Sequence, residues 1–319
     1  MSSASPAGLE KNTKSVKKSI FKKYWNYRDL YFLLLIPVIY VIIFNYIPMY
    51  GVTMAFKNYL PQRGIWGSPW VGLYHFKRFF TSPNFFTVIK NTLVLSIYSL
   101  IVGFPFPIIL AIFINHSRLF VVKKAVQSIT FMPHFISMVI LVGLVVQILG
   151  MRSGGVNIIL SRLGFEEFNF MGSAKAFPHI YVWSGIWQNT GYGAIIYIST
   201  LATVDPNLHE AALIDGANMW QRVFHIDLAT IKPIIVIMLI LNMGSILGGN
   251  FEKIYIMQNP QNLSVSEIIS TYVYKVGLIA ARPDFSFATS IGLFQNIVGV
   301  TLTLTVNRIA RSLTGESMF

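Results

Sequence analysis

Six long runs without aspartate, glutamate, lysine or arginine dominate this sequence. They are residues 30–49, 91–115, 125–151, 176–204, 233–251 and 285–307. Each run is close to or above the ~20 residues that a helix needs to cross the ~30 Å hydrocarbon layer of a bilayer. Charged residues make up only 12% of the chain, whereas a soluble domain carries roughly 25%. The sequence therefore predicts an all-α, polytopic membrane protein with six transmembrane helices.

The net charge of +13 is distributed in a way that predicts membrane orientation rather than nucleic-acid binding. A basic cluster between Lys11 and Arg28 precedes the first run, and short basic segments beside a span stay in the cytoplasm near anionic headgroups. We therefore divide the chain into a cytoplasmic basic tail with an interfacial helix, 1–28, and a transmembrane domain, 29–319. A solvated tail that only fixes orientation explains residues 1–28 equally well. Six spans place both termini in the cytoplasm.

The chain lacks several residue types, spacings and motifs on which catalytic or metal chemistry depends. There is no cysteine, so disulfides and thiolate ligands or nucleophiles are excluded. No two of the six histidines are three or four residues apart, and we therefore expect no metal site. No nucleophile–base pair is evident, so we expect no catalytic residue. The Gly-x-x-x-x-Gly-Lys-Ser/Thr loop that cradles ATP phosphates is also missing from the sequence.

A polar segment, 205–232, separates the fourth and fifth runs. Asp205 is a good helix cap because its carboxylate accepts hydrogen bonds from free N–H groups, and Pro206 suits the first helical position. Gly216 suits the left-handed residue that follows a helix. A second amphipathic stretch covers residues 219–225. The pattern predicts two short helices with a glycine turn between them.

The same segment holds Glu-Ala-Ala, three residues, Gly, nine residues and Ile-x-Leu. These residues are Glu210, Ala211, Ala212, Gly216, Ile226 and Leu228. The spacing resembles the cytoplasmic signature loop of type I ABC importer permeases. One departure is Ala229, because the family usually has proline directly after the leucine. Pro233 is expected to start the fifth span instead.

Three further segments are similar to the polysaccharide branch of the maltose-transporter-like permeases. They are Tyr46–Gly51 with Ala55–Lys57, Phe131–Ser137 and Thr271–Leu278. The resemblance covers about residues 28–313. Within the branch, the chain looks most like the permease subunits of bacterial importers of acidic oligosaccharides, such as the alginate importer.

This resemblance implies a mechanism and a set of partners. The short helix near Glu210 would be a coupling helix that sits in a cleft of a separate ATPase subunit and moves as that subunit closes. The implied coupling residues are Glu210, Ala211, Ala212, Asp215 and Gly216. The implied partners are a homologous second permease, two ATPase subunits that bind ATP and Mg, and an external substrate-binding protein. The chain itself would hold no cofactor, and would move substrate by alternating access through the bacterial plasma (inner) membrane.

Spans four to six also carry polar and aromatic side chains that a lipid-facing helix avoids. We predict that a substrate path is lined by Trp183, Trp187, Gln188, Asn189, Tyr192, Asn242 and Gln295. Sugars present hydroxyl edges and flat C–H faces, which amides and aromatic rings suit. For any single residue, hydrogen bonding between helices is the competing interpretation. The cluster in the fourth span, residues 187–192, favours a path.

Two other classes of transporter fit parts of the pattern. A type I permease for another solute would differ only in the path residues. An ion-coupled secondary transporter would keep ionisable residues in its spans, but the six runs contain only His134 and His179. We expect His134 to bond another helix, with a place on the substrate path as the alternative.

Overall fold

The computed structural model describes residues 27–117, 119–244 and 246–314. Over these residues the chain is helical, with turns and one isolated bridge between Lys57 and Trp70. The predicted basic tail and interfacial helix lie outside the described residues, apart from Tyr27 and Arg28.

Twelve helices organise the described part of the chain. They are α1 (Arg28–Phe56), α2 (Tyr74–Phe80), α3 (Phe85–His116), α4 (Phe120–Phe131), α5 (Met138–Leu149), α6 (Gly155–Arg162), α7 (Phe177–Leu201), α8 (Pro206–Ile214), α9 (Met219–Gly244), α10 (Phe251–Met257), α11 (Ile269–Tyr274) and α12 (Phe285–Thr314). One-turn α-helices cover Gly64–Gly67 and Leu263–Ser266, and 3₁₀ turns cover Tyr50–Phe56, Pro61–Arg63 and Met132–Phe135. π-helical turns cover Ile42–Tyr46, Ser99–Gly103, Val223–Asp227 and Lys275–Ile279.

The predicted membrane class is confirmed, and the predicted number of spans is approximate. Among the described residues, α1, α3, α9 and most of α12 are long and apolar enough to cross a membrane. The pair Phe120–Phe135 and α5 passes the same test together, although its halves meet at 100°. The fourth predicted run coincides with α7, which has 25 residues but is less apolar because it contains amides and histidine. Within the described residues four or five helices pass this test, so the predicted count of six is approximate.

The third predicted run is broken where the sequence has Pro133. Proline removes a backbone donor, and the 3₁₀ turn around it is followed by an extended residue, Ile136. Ser137 then caps α5 by accepting a hydrogen bond from Ile140 N. The Ile136 carbonyl, which the break leaves outside a helix, accepts a hydrogen bond from Gln188 Nε2 at 3.2 Å. A neighbouring helix thus satisfies the freed backbone group, as a bilayer environment requires.

The prediction that Pro233 starts the fifth span is wrong. α9 begins at Met219 and continues through the π turn Val223–Asp227 to Gly244, so Pro233 lies inside it. Its start is fixed by a capping box, in which Asn218 and Gln221 bond each other's backbone N–H groups at 2.9 and 2.8 Å. An internal proline is tolerated in membrane helices because neighbouring groups can satisfy the freed carbonyl.

α7 is the central helix of the buried core. It contributes to a cluster with Leu95, Val142, Phe177, Tyr181, Val182, Ile254, Met257 and Ile268, and to another with Ala111, Ala194, Tyr197, Leu201 and Ile231. Between these clusters, Gly191 of α7 crosses α4 so closely that a Cβ would overlap the Thr130 carbonyl and lie 2.8 Å from Phe131 N. Only glycine fits this crossing without a shift of the backbone.

α1 has almost no buried surface within the chain. No residue from Arg28 to Met49 is buried, and contact with the rest of the fold is made by the 3₁₀ turn Tyr50–Phe56, which packs against α12. Ala55 in that turn is fully buried. The first span therefore extends away from the bundle and is held at one end.

Candidate functional site

Of the two short helices predicted in segment 205–232, the first is present as α8, and the second forms the beginning of the long helix α9. α8 begins after Asp205, whose Oδ1 accepts a hydrogen bond from Asn207 N at 3.0 Å. Gly216 follows with φ +81°, a conformation that favours glycine. Ala217 N then donates to Ala212 O at 2.8 Å, which closes the helix end in the manner of a Schellman motif. The local capping signals in the sequence are sufficient to define this helix.

α8 and the start of α9 present large apolar side chains that the described residues leave uncovered. The exposed side chains are Leu208, Leu213, Ile214, Trp220 and Phe224, and Ile214 reaches 87% exposure. The predicted coupling residues Glu210, Ala211, Asp215 and Gly216 are also exposed, and Ala212 is half-buried. A cluster of exposed apolar residues with an acidic rim is typical of a protein-interaction surface.

A buried carboxylate connects α8 to two other helices. Asp227, in the π turn of α9, is fully buried. Its Oδ2 lies 2.6 Å from His116 Nε2 at the end of α3, and its Oδ1 lies 3.3 Å from His209 Nε2 in α8. The two imidazole rings meet edge to face, with centroids 5.9 Å apart. A displacement of α8 therefore acts directly on the ends of α3 and α9.

This His116–Asp227–His209 cluster was not predicted from the sequence. Histidine spacings of three or four residues identify neighbours on one helix only. The cluster joins three elements that are distant in the chain. The one available signal was a charged residue, Asp227, placed between two apolar residues of the signature, Ile226 and Leu228.

A cavity of about 1020 Å³ lies among α3, α7, α9 and α10. Four of the seven predicted path residues line it, namely Gln188, Asn189, Tyr192 and Asn242. Gln188 is nearly fully buried, and its Oε1 has no hydrogen-bond partner among the described residues. The cavity wall combines amide groups, hydroxyl groups and an aromatic ring.

The other three predicted path residues lie elsewhere. The Trp183 ring packs edge to face on Phe106 and is half-exposed, and Trp187 is also half-exposed. Gln295 Nε2 donates to Leu247 O at 2.9 Å. None of these three lines the cavity. A substrate contact for any of the seven residues stays a prediction.

Hydrogen bonding between helices accounts for some of the same polar groups. His134 Nδ1 lies 3.1 Å from Asn189 Oδ1, and the His134 ring stacks on Tyr192 with centroids 3.8 Å apart and an interplanar angle of 4°. Gln188 bonds the broken backbone at Ile136. These contacts fix the orientation of α7 side chains at the cavity wall, so the two interpretations of the polar groups are compatible.

Lys253 in α10 was missed by the sequence analysis. It is only 2% exposed, and its Nζ donates to Tyr181 O at 2.8 Å. Asn250 caps α10 by accepting from Lys253 N at 3.1 Å, and Asn250 N donates to the Tyr181 hydroxyl at 3.3 Å. A lysine two residues beyond a predicted apolar run is typical of a span boundary. The sequence pattern therefore did not indicate that Lys253 lines the cavity.

Comparisons with known proteins add independent findings. The family model of the binding-protein-dependent transport system inner membrane component matches residues 90–315. Protein LplB of Bacillus subtilis (strain 168) is 40% identical over 290 residues, covering 91% of each chain. The polygalacturonan/rhamnogalacturonan transport system permease protein YteP of the same organism is 41% identical over 310 residues, covering 97% of this chain and 94% of that one.

Solved structures give a matching result. A chain in the crystal structure of a bacterial ABC transporter involved in the import of the acidic polysaccharide alginate superimposes with a TM-score of 0.86 at 39% identity. The match covers 93% of this chain and 99% of that chain. A second structure, of a bacterial alginate ABC transporter in complex with an alginate pentasaccharide-bound periplasmic protein, also gives 0.86, at 38% identity.

Proposed function

This chain belongs to the family of binding-protein-dependent transport system inner membrane components, and we propose that its transport substrate is an acidic oligo- or polysaccharide. It is a multi-pass membrane permease subunit of an ABC importer. This family membership removes the ion-coupled carrier from consideration. A permease for a different solute is the alternative that remains.

The energy for transport enters through α8, which serves as the coupling helix. The exposed apolar face of α8, with Glu210 and the small residues Ala211 and Ala212, suits a cleft on an ATPase surface. This sequence has no phosphate-binding loop. ATP and Mg are therefore bound by separate subunits, the two ATPases that the resemblance implies. Their closure would bias a two-state bundle between outward-facing and inward-facing forms.

The remaining partners follow from the same family architecture. The neighbouring structure that contains a loaded periplasmic protein supports an external substrate-binding protein as a partner. A homologous second permease completes the pathway, as the resemblance to type I ABC importer permeases implies. Segment 205–232 must face the ATPase, so both termini lie in the cytoplasm and the chain in the bacterial inner membrane.

The substrate class rests on two observations. One relative, 41% identical, is named for polygalacturonan and rhamnogalacturonan transport, another, 30% identical, is named for arabinooligosaccharides, and the structural neighbour is involved in alginate import. The cavity of this chain offers the amides Gln188, Asn189 and Asn242 together with the ring of Tyr192. Amides bond sugar hydroxyl groups and an aromatic ring covers a C–H face, so the cavity suits a saccharide chain.

The observation that carries the coupling proposal is an exposed α8 whose His209 Nε2 lies 3.3 Å from the buried Asp227 carboxylate. We expect Glu210→Ala to lower saccharide import about 5- to 150-fold, the usual range for coupling free energies of ~1–3 kcal/mol. Import is measured in proteoliposomes that contain the assembled importer, loaded binding protein outside and ATP inside. The matched control is Glu166→Ala, another exposed carboxylate, which lies between α6 and α7 and outside segment 205–232. Normal import by the Glu210 variant would contradict the coupling role.

A further inference from the structure

Lys253 is a buried cation for which the described residues supply no carboxylate. Its side chain takes part in no salt bridge within the described ranges, where the ion pairs involve other residues. Nζ makes one hydrogen bond, to Tyr181 O, and lies 5.1 Å from the centroid of the same tyrosine ring. An ammonium group has three donors, so the protein contacts satisfy only part of its capacity.

The lysine lies on the wall of the transport cavity. Among the described residues that line the cavity, Lys253 is the one side chain from the group of aspartate, glutamate, lysine and arginine. Its Nζ lies beside Gly185 of α7, where a Cβ would be 3.2 Å away. Gly185 also lines the cavity and has no side chain with which to cover the ammonium group. The Tyr181 ring is close to the ammonium group, but no counter-ion among the described residues pairs with it.

Burial of an ammonium group without a counter-ion is unfavourable. α10 lies outside the candidate membrane spans, and burial lowers the pKa of Lys253 to about 7. A carboxylate that entered the cavity would favour the charged lysine, since an opposite charge within a few ångströms stabilises the protonated form. A neutral sugar would give no such compensation.

We propose that Lys253 binds a carboxylate of the saccharide in the transport cavity and thereby selects acidic over neutral saccharides. This inference rests on the proposed function and assigns its substrate preference to one residue. Asn250, held by the Tyr181 hydroxyl beside the lysine, keeps α10 in position. Each uronate unit would meet the ammonium group as the chain passes along the cavity.

The test uses the complete importer in proteoliposomes with its own binding protein, and trigalacturonate and an alginate trisaccharide as probes. We expect Lys253→Met, which keeps the length of the side chain but removes its charge, to lower import of these probes about 10-fold or more. Lys253→Arg should retain most of the import. Lys275→Met is the matched control, because that lysine pairs with Glu267 and does not line the cavity. Assembly and ATPase stimulation by the loaded binding protein are measured for every variant.

A dependence on external pH separates substrate binding from a structural role. Wild-type import should fall as the pH rises through about 7, because the empty cavity then presents a neutral lysine. Arginine stays charged, so the ratio of wild-type to Lys253→Arg import should fall over the same range. That ratio cancels the pH dependence of the binding protein itself.

The outcomes distinguish this inference from the function on which it rests. If wild type and Lys253→Met import the acidic probes equally well, the proposed role of Lys253 is overturned, but the proposed function is not. A wild-type importer that takes up only neutral saccharides overturns the inference and the acidic substrate class, but not the permease function. If both Lys253 variants lose import, and their import relative to wild type does not change with pH, the lysine has a structural role through its contact with Tyr181. That result also overturns the inference. No saccharide import by wild type overturns the proposed function.

Discussion

Gly191→Ala tests the closest helix crossing next to the cavity. The added Cβ would overlap the Thr130 carbonyl and lie 2.8 Å from Phe131 N, whereas real Cβ atoms essentially never come within 3.0 Å of a neighbour. Both partners are backbone atoms, so no side chain can rotate away. α7 and α4 would have to separate.

Two opposing free energies determine the size of the effect. Alanine stabilises a helix interior by about 0.5–1 kcal/mol relative to glycine. Overpacking costs about 1–3 kcal/mol and occasionally more, and the upper end applies here because the overlap is with backbone. We therefore expect a net destabilisation of about 2 kcal/mol, together with import below the wild-type rate, because α7 carries Gln188 and Tyr192 into the cavity.

The assay is thermal unfolding of the purified importer, followed by intrinsic tryptophan fluorescence. A loss of about 2 kcal/mol corresponds to a Tm lower by roughly 3 °C when this chain of 319 residues unfolds as one unit. The matched control is Gly292→Ala in α12, where a Cβ would meet nothing within 4 Å and the Tm should stay level or rise slightly. If Gly191→Ala unfolds at or above the wild-type Tm while the control behaves as expected, the close crossing does not exist in solution.

Two further substitutions test segment 205–232. Asp227→Asn should lower the amount of saccharide imported per ATP hydrolysed, because His116 and His209 lose their shared carboxylate. Adding His209→Ala should cost less than the sum of the two single effects, and full additivity in this double-mutant cycle would disprove the connection. Gly216→Val should destabilise the folded state by about 1–2 kcal/mol. The cause is the left-handed φ alone, since a Cβ there meets nothing within 4 Å. The same variant should reduce ATPase stimulation. Gly216→Asn, which tolerates that φ, should retain stimulation; equal results for Val and Asn would refute the turn geometry.

Local signals in the sequence were enough to predict α8 and its turn. Asp205 and Pro206 start the helix and Gly216 ends it, and each acts within a few residues of its own position. A helical stretch beginning at Met219 was predicted, but its continuation into the fifth span was missed because Pro233 was given more weight as a start signal. A proline is a weak boundary signal where the surrounding bundle can satisfy the carbonyl that it frees.

Which side of α7 faces the cavity could not be predicted. Gln188 and Tyr192 line the cavity together with Tyr181 and Gly185, whereas Trp183 and Trp187 of the same helix do not. Polar and aromatic residues occur all round α7, so the sequence gives no apolar face to mark the lipid. Its orientation depends on contacts with Thr130 and other residues that are distant in the chain.

The His116–Asp227–His209 cluster and Lys253 were missed for a related reason. Their partners come from helices separated by many residues, and a single sequence does not record which helix ends meet. Chemistry that depends on spacing along one helix can be predicted in such a chain. Chemistry that depends on packing between helices needs the three-dimensional structure.

The first span shows what a helix with few neighbours among the described residues requires of its sequence. From Phe32 to Met49 none of its side chains is buried against the described residues, and the acyl chains of the bilayer accommodate leucine, isoleucine and phenylalanine alike. Exchanges among them can accumulate there at little cost to the monomer. Ala55, a few residues further on and enclosed on every side, has no such freedom, so tolerance of substitution changes sharply within two turns of one continuous helix.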